Sequence, residues 1–509
     1  MAWLVYSRRA EKLLKLACVI SAGCFALACI ALILNRWSYP FHISLIEGAT
    51  VLQVNKLLMG LPLYAEPTIE HISFIYQPLY YYLAAGSAWL FEESLGAYRL
   101  VSITALLATC GLIFWQVLRT SPKSFLPATL ALGAFLATYG EVRGFFELAR
   151  VDMLLTAFLL AGFCTLWGRN RTNAIYAGVL FSAAFMTKQT ALIALLPLTI
   201  QMLLWDRARL LLMLTTMAVV LGVCFYQLSD ATAGWYRYYV FDLPANHRGR
   251  IDFQVLAFWL DHVRPIALGL IFAGIALLMP SRTAGESRQQ GLLAAALVGL
   301  FGISWAAMIN PGANANVLLP AYAGWALLLG IGMARFYRWL SENGMEQEHR
   351  SLWGAMSLVL VLAQLGFLIY DPRPYRMNAD DEKAGQTVLS TLDSLGDRVF
   401  LPNHNYLSVM NNKQPLFNWI AVSEISGLYG VADKPTLKRL EQSFYKAITQ
   451  GSVSYAVLGD SMTPTRIQKR FPKVEFELVD IVEFKNDRVF KPINGDHRPS
   501  NIYKLSVNR

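Results

Sequence analysis

The stretch YPFHISLIEGATVLQVNKLLMGLPLY, Tyr39–Tyr64, decides how this chain is read. It follows directly on an apolar run, yet it carries a carboxylate, Glu47, and a turn pair, Gly60 and Pro62. A membrane-crossing helix needs about 20 apolar residues; residues 14–34 meet that condition and residues 39–64 do not. Within the stretch, Leu45, Val51, Leu52, Leu58 and Met59 are spaced for one helical face. The segment is therefore expected to form an amphipathic helix lying on the membrane surface. Glu47 falls in its first turn, where a carboxylate complements the helix dipole.

Composition extends the same contrast to the whole chain. Of the 509 residues, 55% are hydrophobic and 15% charged, against about 25% charged in an average soluble domain. The charges are uneven: 35 lie in the 139 residues from Asp371 onward, and 43 in the other 370. A membrane region over 1–370 and a soluble domain over 371–509 are expected. All six cysteines lie in apolar runs without metal-type spacing, and read as small hydrophobes. The net charge of +10 does not indicate nucleic acid, because many basic residues sit in short loops between spans. The first apolar run reads as a retained span rather than a cleaved signal.

Candidate spans fall near residues 14–34, 97–118, 124–140, 153–168, 173–187, 190–205, 208–228, 257–280, 289–309, 316–334 and 351–370, about eleven in all. Placing the amino terminus inside makes every inner loop basic: SRRAEKLLK, RTSPK, GRNRT, WDRAR, PSRTAGESR and ARFYRW. The polar tail is then outside. Its helix-like DEKAGQTVLSTLDSL and KPTLKRLEQSFYKAI alternate with the strand-like RVFLP, SYAVLGD and KVEFELVDIVEF. That order predicts a small α/β domain.

Ionisable residues at membrane level are costly, which makes each a functional candidate. Besides Glu47, the outer segment YGEVRGFFELARVDMLL crowds Glu141, Arg143, Glu147, Arg150 and Asp152 above two spans. Asp152 opens an apolar helix, either as an acid paired with Arg150 or as a catalytic group. Two outer carboxylates near arginines suit transfer chemistry on an anionic substrate, with a carboxylate as base and cations on a departing phosphate. Lys188 lies at the outer end of a span, where it either grips an anion or snorkels to the interface. FDLPANHRGRIDF adds His247, Arg248 and Arg250, and the two arginines flanking the glycine of NHRGR offer a phosphate grip, or are plain loop charge. Asn310, Asn314 and Asn316 are possible hydroxyl partners or ordinary caps. The spacing of His42, His71 and His247 gives no support for a metal site.

Taken together, EG…LLMGLPLY…YQPLYYYLAAGSAWL…YRLVS, ELARVDMLLTAF and GANANVLLP resemble the GT-C superfamily of membrane glycosyltransferases, in particular its bacterial protein-mannosyltransferase and aminoarabinose-transferase-like group. The resemblance covers most of residues 10–335. It implies a polytopic α-helical membrane protein of the bacterial inner membrane. Site and C-terminal domain would face the periplasm, and a sugar would move from a polyprenyl-phosphate donor to a lipid, glycan or protein acceptor. It carries the catalytic role onto Glu47 and Asp152. Donor phosphate would fall to Arg143, Arg150, Lys188, Arg248 and Arg250, and the sugar or acceptor to Tyr76, His247, Asn314 and Asn316. Two departures stand out. Many relatives have Asp-Glu where this chain has Ile46-Glu47. An acid-Lys-Pro segment linked to metal and phosphate is here Tyr76-Gln77-Pro78, which leaves a requirement for Mg or Mn without its expected ligand. A lipid-linked saccharide flippase is the alternative, but no internal repeat marks one. A scaffold would not need eleven spans.

Overall fold

The computed structural model describes residues 2–121, 124–246, 254–310, 312–427, 431–459, 461–486, 488–493 and 498–508. Helix α1 (Ala2–Trp37) is followed by α2 (Leu45–Leu58), α3 (Leu79–Phe91), α4 (Leu95–Leu118), α5 (Phe125–Ala137), α6 (Val151–Leu166), α7 (Arg171–Thr187), α8 (Ala191–Trp205) and α9 (Arg207–Ala231). Three short turns, α10 (Trp235–Arg237), α11 (Leu243–Ala245) and α12 (Gln254–Ala257), lead to α13 (Ala267–Leu278), α14 (Ala284–Met308), α15 (Leu319–Glu342) and α16 (Gln347–Phe367). A helix occupies each of the eleven expected spans. Among the described residues seven are long and apolar enough to cross a membrane, α13 as the end of a continuous helical run Val255–Leu278; α5, α6, α7 and α8, of 13, 16, 17 and 15 residues, are shorter.

Helix α15 is the axis of the bundle, buried along almost its whole length and packed by α4, α5, α6, α13, α14 and α16. Small residues make that crowding possible, since helices in lipid associate by close backbone approach. A Cβ on Gly332 would lie 1.9 Å from the Phe272 carbonyl oxygen of α13.

The C-terminal domain contains α17 (Ala379–Asp393), β1 (Val399–Phe400), α18 (Tyr406–Met410), α19 (Trp419–Ile425), α20 (Lys434–Thr449), β2 (Tyr455–Gly459), α21 (Pro464–Gln468), β3 (Val474–Ile481) and β4 (Pro499–Val507). Its sheet runs β1-β2-β4-β3, parallel between β1 and β2 and antiparallel elsewhere. Strand β4, central in the sheet, is absent from the sequence reading.

The Tyr39–Tyr64 stretch departs from expectation. Helix α2 forms, but Leu45 and Glu47 to Val54 are all buried, and exposure begins only near Leu58 and Met59. It is not a surface helix. The C-terminal domain covers it: α18 packs on α2, and a Cβ on Gly48 would meet the Tyr406 ring at 2.7 Å. The residues before α2 serve as the dock. Phe41 packs edge-on against Phe490 with ring centroids 5.1 Å apart, and the Ile43 carbonyl accepts from the Ile493 amide at 2.9 Å. Further along the first loop, the Ile69 carbonyl accepts from the Phe417 amide at 2.8 Å.

One buried ion pair holds this dock on the bundle. Arg99, in the second turn of α4, donates Nε to Glu47 Oε1 at 2.9 Å and Nη2 to Oε2 at 3.1 Å. Its remaining donors reach the carbonyls of Arg36 at 2.8 Å, Tyr39 at 2.6 Å and Phe41 at 2.9 Å. Glu47 also accepts from the amides of Ile43 at 2.7 Å and Ala149 at 2.8 Å. Neither side chain is exposed. Burial alone would push the Glu47 carboxyl up, but the Arg99 charge and these four donors hold it below the usual carboxylate range. A parallel pair, Arg36 to Glu147 at 2.8 Å, is shared with Tyr139, whose hydroxyl donates to Glu147 at 3.0 Å.

Breaking a buried pair by removing one partner costs about 3–5 kcal/mol, because the other charge is stranded. Arg99→Met is expected to lower thermal stability in detergent by that amount, and Arg99→Met with Glu47→Leu to recover part of it. Unfolding curves of the three proteins check this. Because the folded carboxyl titrates below its unfolded value, its contribution is full above the ordinary range near pH 4 and is lost as pH falls through the folded value. Glu47→Gln is therefore expected to flatten the acid limb of stability against pH, which a melting series from neutral to acid pH reads out.

A cationic cavity between the bundle and the C-terminal domain

The clamp sets the course of the chain that delivers the charged residues. Glu47 accepts from the Ala149 amide, and Thr50 Oγ1 donates to the Ala149 carbonyl at 2.9 Å. Ser102 Oγ donates to the Leu148 carbonyl at 2.6 Å. Three side chains from two helices, α2 and α4, thereby grip residues 148 and 149, and Arg150 and Asp152 follow at the start of α6.

Asp152 lies between two cations. Its Oδ1 faces Lys188 Nζ at 2.8 Å, and its Oδ2 faces Arg150 Nε at 3.2 Å. Asn316 adds a hydrogen bond. Arg150 also donates to Ser44 Oγ at 3.2 Å, with its guanidinium 5.1 Å from the Phe145 ring centroid. Lys188 Nζ stands 5.8 Å from the Tyr76 ring centroid. Arg150 and Lys188 both line a cavity of about 620 Å³ between the bundle and the C-terminal domain. The bundle side adds Ile46, Tyr76, Gln189, Asn314 and Asn316; the domain side adds Asn403, Trp419, Glu424 and Arg466. Asp152 sits just behind this wall, lining a much smaller adjoining cavity with Lys188 and Asn316.

The structure thus gathers Tyr76, Arg150, Asp152, Lys188, Asn314 and Asn316 from the sequence reading. It does not bring Glu47 to the cavity: both of its oxygens are committed to Arg99 and to backbone amides behind the wall. Arg143 is exposed and lines neither cavity. Arg143 and Gly144 take left-handed φ values of 47° and 69°, a tight turn that separates Arg143 from Arg150. His247, Arg248 and Arg250 lie outside the described residues. The domain-side residues and Arg99 were missed. For Arg99 a signal existed, a charge inside the expected span at 97–118, which demands a buried partner.

A divalent cation does not fit this donor set. Mg and Mn take an oxygen cage, whereas both Asp152 oxygens face cations. Among the described residues no group of three or more His, Cys, Asp or Glu side chains could hold a metal. The His42 ring packs at a tilt against His404 and Tyr406, and His71 bonds Ser73, so these histidines act locally.

No family model matches the chain, and no curated protein matches it. Solved structures do. ArnT from Cupriavidus metallidurans bound to undecaprenyl phosphate aligns with a TM-score of 0.60 at 14% identity, over 95% of this chain and 97% of that one. Its apo state aligns with 0.60 at 13% identity, over 95% and 98%. The oligosaccharyltransferase of Archaeoglobus fulgidus in the apo form aligns with 0.50 at 10% identity, over 87% and 69%. At such identities the likeness concerns architecture. The bundle, its capping α/β domain and these alignments show that the chain shares the overall fold of ArnT and of this oligosaccharyltransferase.

Proposed function

We propose that this chain is a membrane glycosyltransferase that moves a sugar from a polyprenyl-phosphate donor to an acceptor hydroxyl in the 620 Å³ cavity. The observation that carries the reading is the convergence of Arg150 and Lys188 on the cavity wall with Asp152 between them. The undecaprenyl phosphate held by ArnT supports the donor class. Basic loops at the opposite end of the bundle support an outer, periplasmic site in a bacterial inner membrane.

In the reaction the bond from the sugar's anomeric carbon to the phosphate oxygen breaks, and the polyprenyl phosphate leaves with the electron pair. The phosphodiester carries one negative charge and the departing phosphate nearly two. Arg150 and Lys188 therefore stabilise the transition state more than the ground state. The acceptor oxygen forms the new bond and gives its proton to a carboxylate. Asp152 is a weak proton acceptor while both cations hold it; a phosphate that draws Lys188 toward the cavity frees it for that role. Glu424 of α19 presents a second carboxylate across the cavity. Tyr76, Asn314 and Asn316 offer a ring face and amide groups to the sugar. Glu47 acts as a positioning residue through the Ala149 amide. Arg248 and Arg250 for the donor phosphate, and His247 for the sugar or acceptor, follow in sequence on Pro244, which lines the cavity, and that proximity supports these roles. The acceptor is a lipid, glycan or protein on the same face.

With purified protein and a polyprenyl-phosphate sugar, Arg150→Met and Lys188→Met are each expected to lower kcat about 10²–10³-fold. Asp152→Asn is expected to lower it about 10²–10⁴-fold. Arg143→Gln should leave turnover unchanged. Labelled lipid crossing the membrane with no donor consumed would instead identify a lipid translocator.

A further inference from the structure

A second cavity, of about 240 Å³, lies where α13 ends, α14 begins and α15 finishes. Helix α14 has 25 residues and reaches the first cavity at Ala307 near its other end. From Glu286 to Ala307, at 1.5 Å per residue, the two cavities are therefore about 30 Å apart, across the bundle. Three arginines line the second one: Arg282, Arg335 and Arg338. Arg338 pairs with Glu286 at 3.0 Å, and Arg282 pairs with Glu342. Arg335 differs. It is 6% exposed and donates to the Ala276 carbonyl, and no carboxylate among the described residues pairs with it. The cavity thus holds one buried cation in excess, beside the amino-terminal turn of α14. Apolar surface borders it: Leu278 is 84% exposed and Trp339, on the lining, 36%.

From this geometry we infer an anion site for a phosphate group, supplied by an anionic phospholipid whose chains lie along Leu278 and Trp339. The buried guanidinium takes the phosphate oxygens through its remaining N–H donors. The partly exposed Arg282 and Arg338 face the same group from the rim. A basic pocket between spans, on the face whose loops are basic, suits an anionic headgroup.

The test uses full-length protein in detergent and native mass spectrometry, with phosphatidylglycerol, phosphatidylcholine and inorganic phosphate as probes. Wild-type protein is expected to prefer phosphatidylglycerol, and Arg335→Gln and Arg338→Gln each to weaken its binding about fivefold. Should Arg335→Gln fail to fold, Arg338→Gln and Arg282→Gln carry the comparison. Inorganic phosphate that binds alone, displaces the lipid and shows the same arginine dependence would uphold the site with free phosphate as its ligand. Equal binding of every probe by wild type and folded variants would overturn the inference.

Discussion

The contact between Arg99 and Glu47 is the constraint on which the rest of the structure hangs. Taking two charges out of water costs several kcal/mol each, and Coulomb attraction alone rarely offsets that. Here the cost is met because the guanidinium donors find carbonyls or the carboxylate, and Glu47 accepts two further amides. Those partners belong to four separate places: the end of α1, the loop at residues 39–43, α2, and the bent approach to α6. One side-chain pair therefore sets both the dock for the C-terminal domain and the position of Arg150 and Asp152.

The cavity inherits its chemistry from that arrangement. Arg150 and Asp152 are two residues apart in sequence, and Lys188 and Asn316 arrive from other helices to complete the cluster. A carboxylate shared by two cations keeps them desolvated without neutralising them, leaving one net positive charge at the wall. On the proposed reading such a cluster holds its cations ready for a phosphate, and Lys188 shifts from Asp152 when one arrives. The C-terminal domain closes the cavity with Trp419, Glu424 and Arg466, so the first loop that docks the domain also determines which of its residues line the cavity.

How much of this was readable follows from how local each signal is. The spans were readable because an apolar run is a local property, and all eleven helices fall where the runs do. Helix α2 was readable as a helix and misplaced as a surface one, because an apolar face looks the same whether lipid or a second domain covers it. Strand β4 was missed since NIYKLSV buries only Ile502 and Leu505 well and carries a lysine, so its alternation is weak. Arg150 and Lys188 were readable as outer charges at span ends. Arg143 looked equivalent, and only the turn at Arg143 and Gly144 removes it. Nothing local marks Trp419, Glu424 or Arg466, because periodicity within the domain does not say which of its faces meets the bundle.

The central claim is that Arg150 and Lys188 receive the donor's phosphate. It is tested most directly by a structure of this protein with bound undecaprenyl phosphate. The account predicts the phosphate within hydrogen-bond distance of the Arg150 guanidinium and of Lys188 Nζ, with the Lys188–Asp152 separation longer than 2.8 Å. A phosphate bound elsewhere, with both ion pairs to Asp152 unchanged, would contradict it.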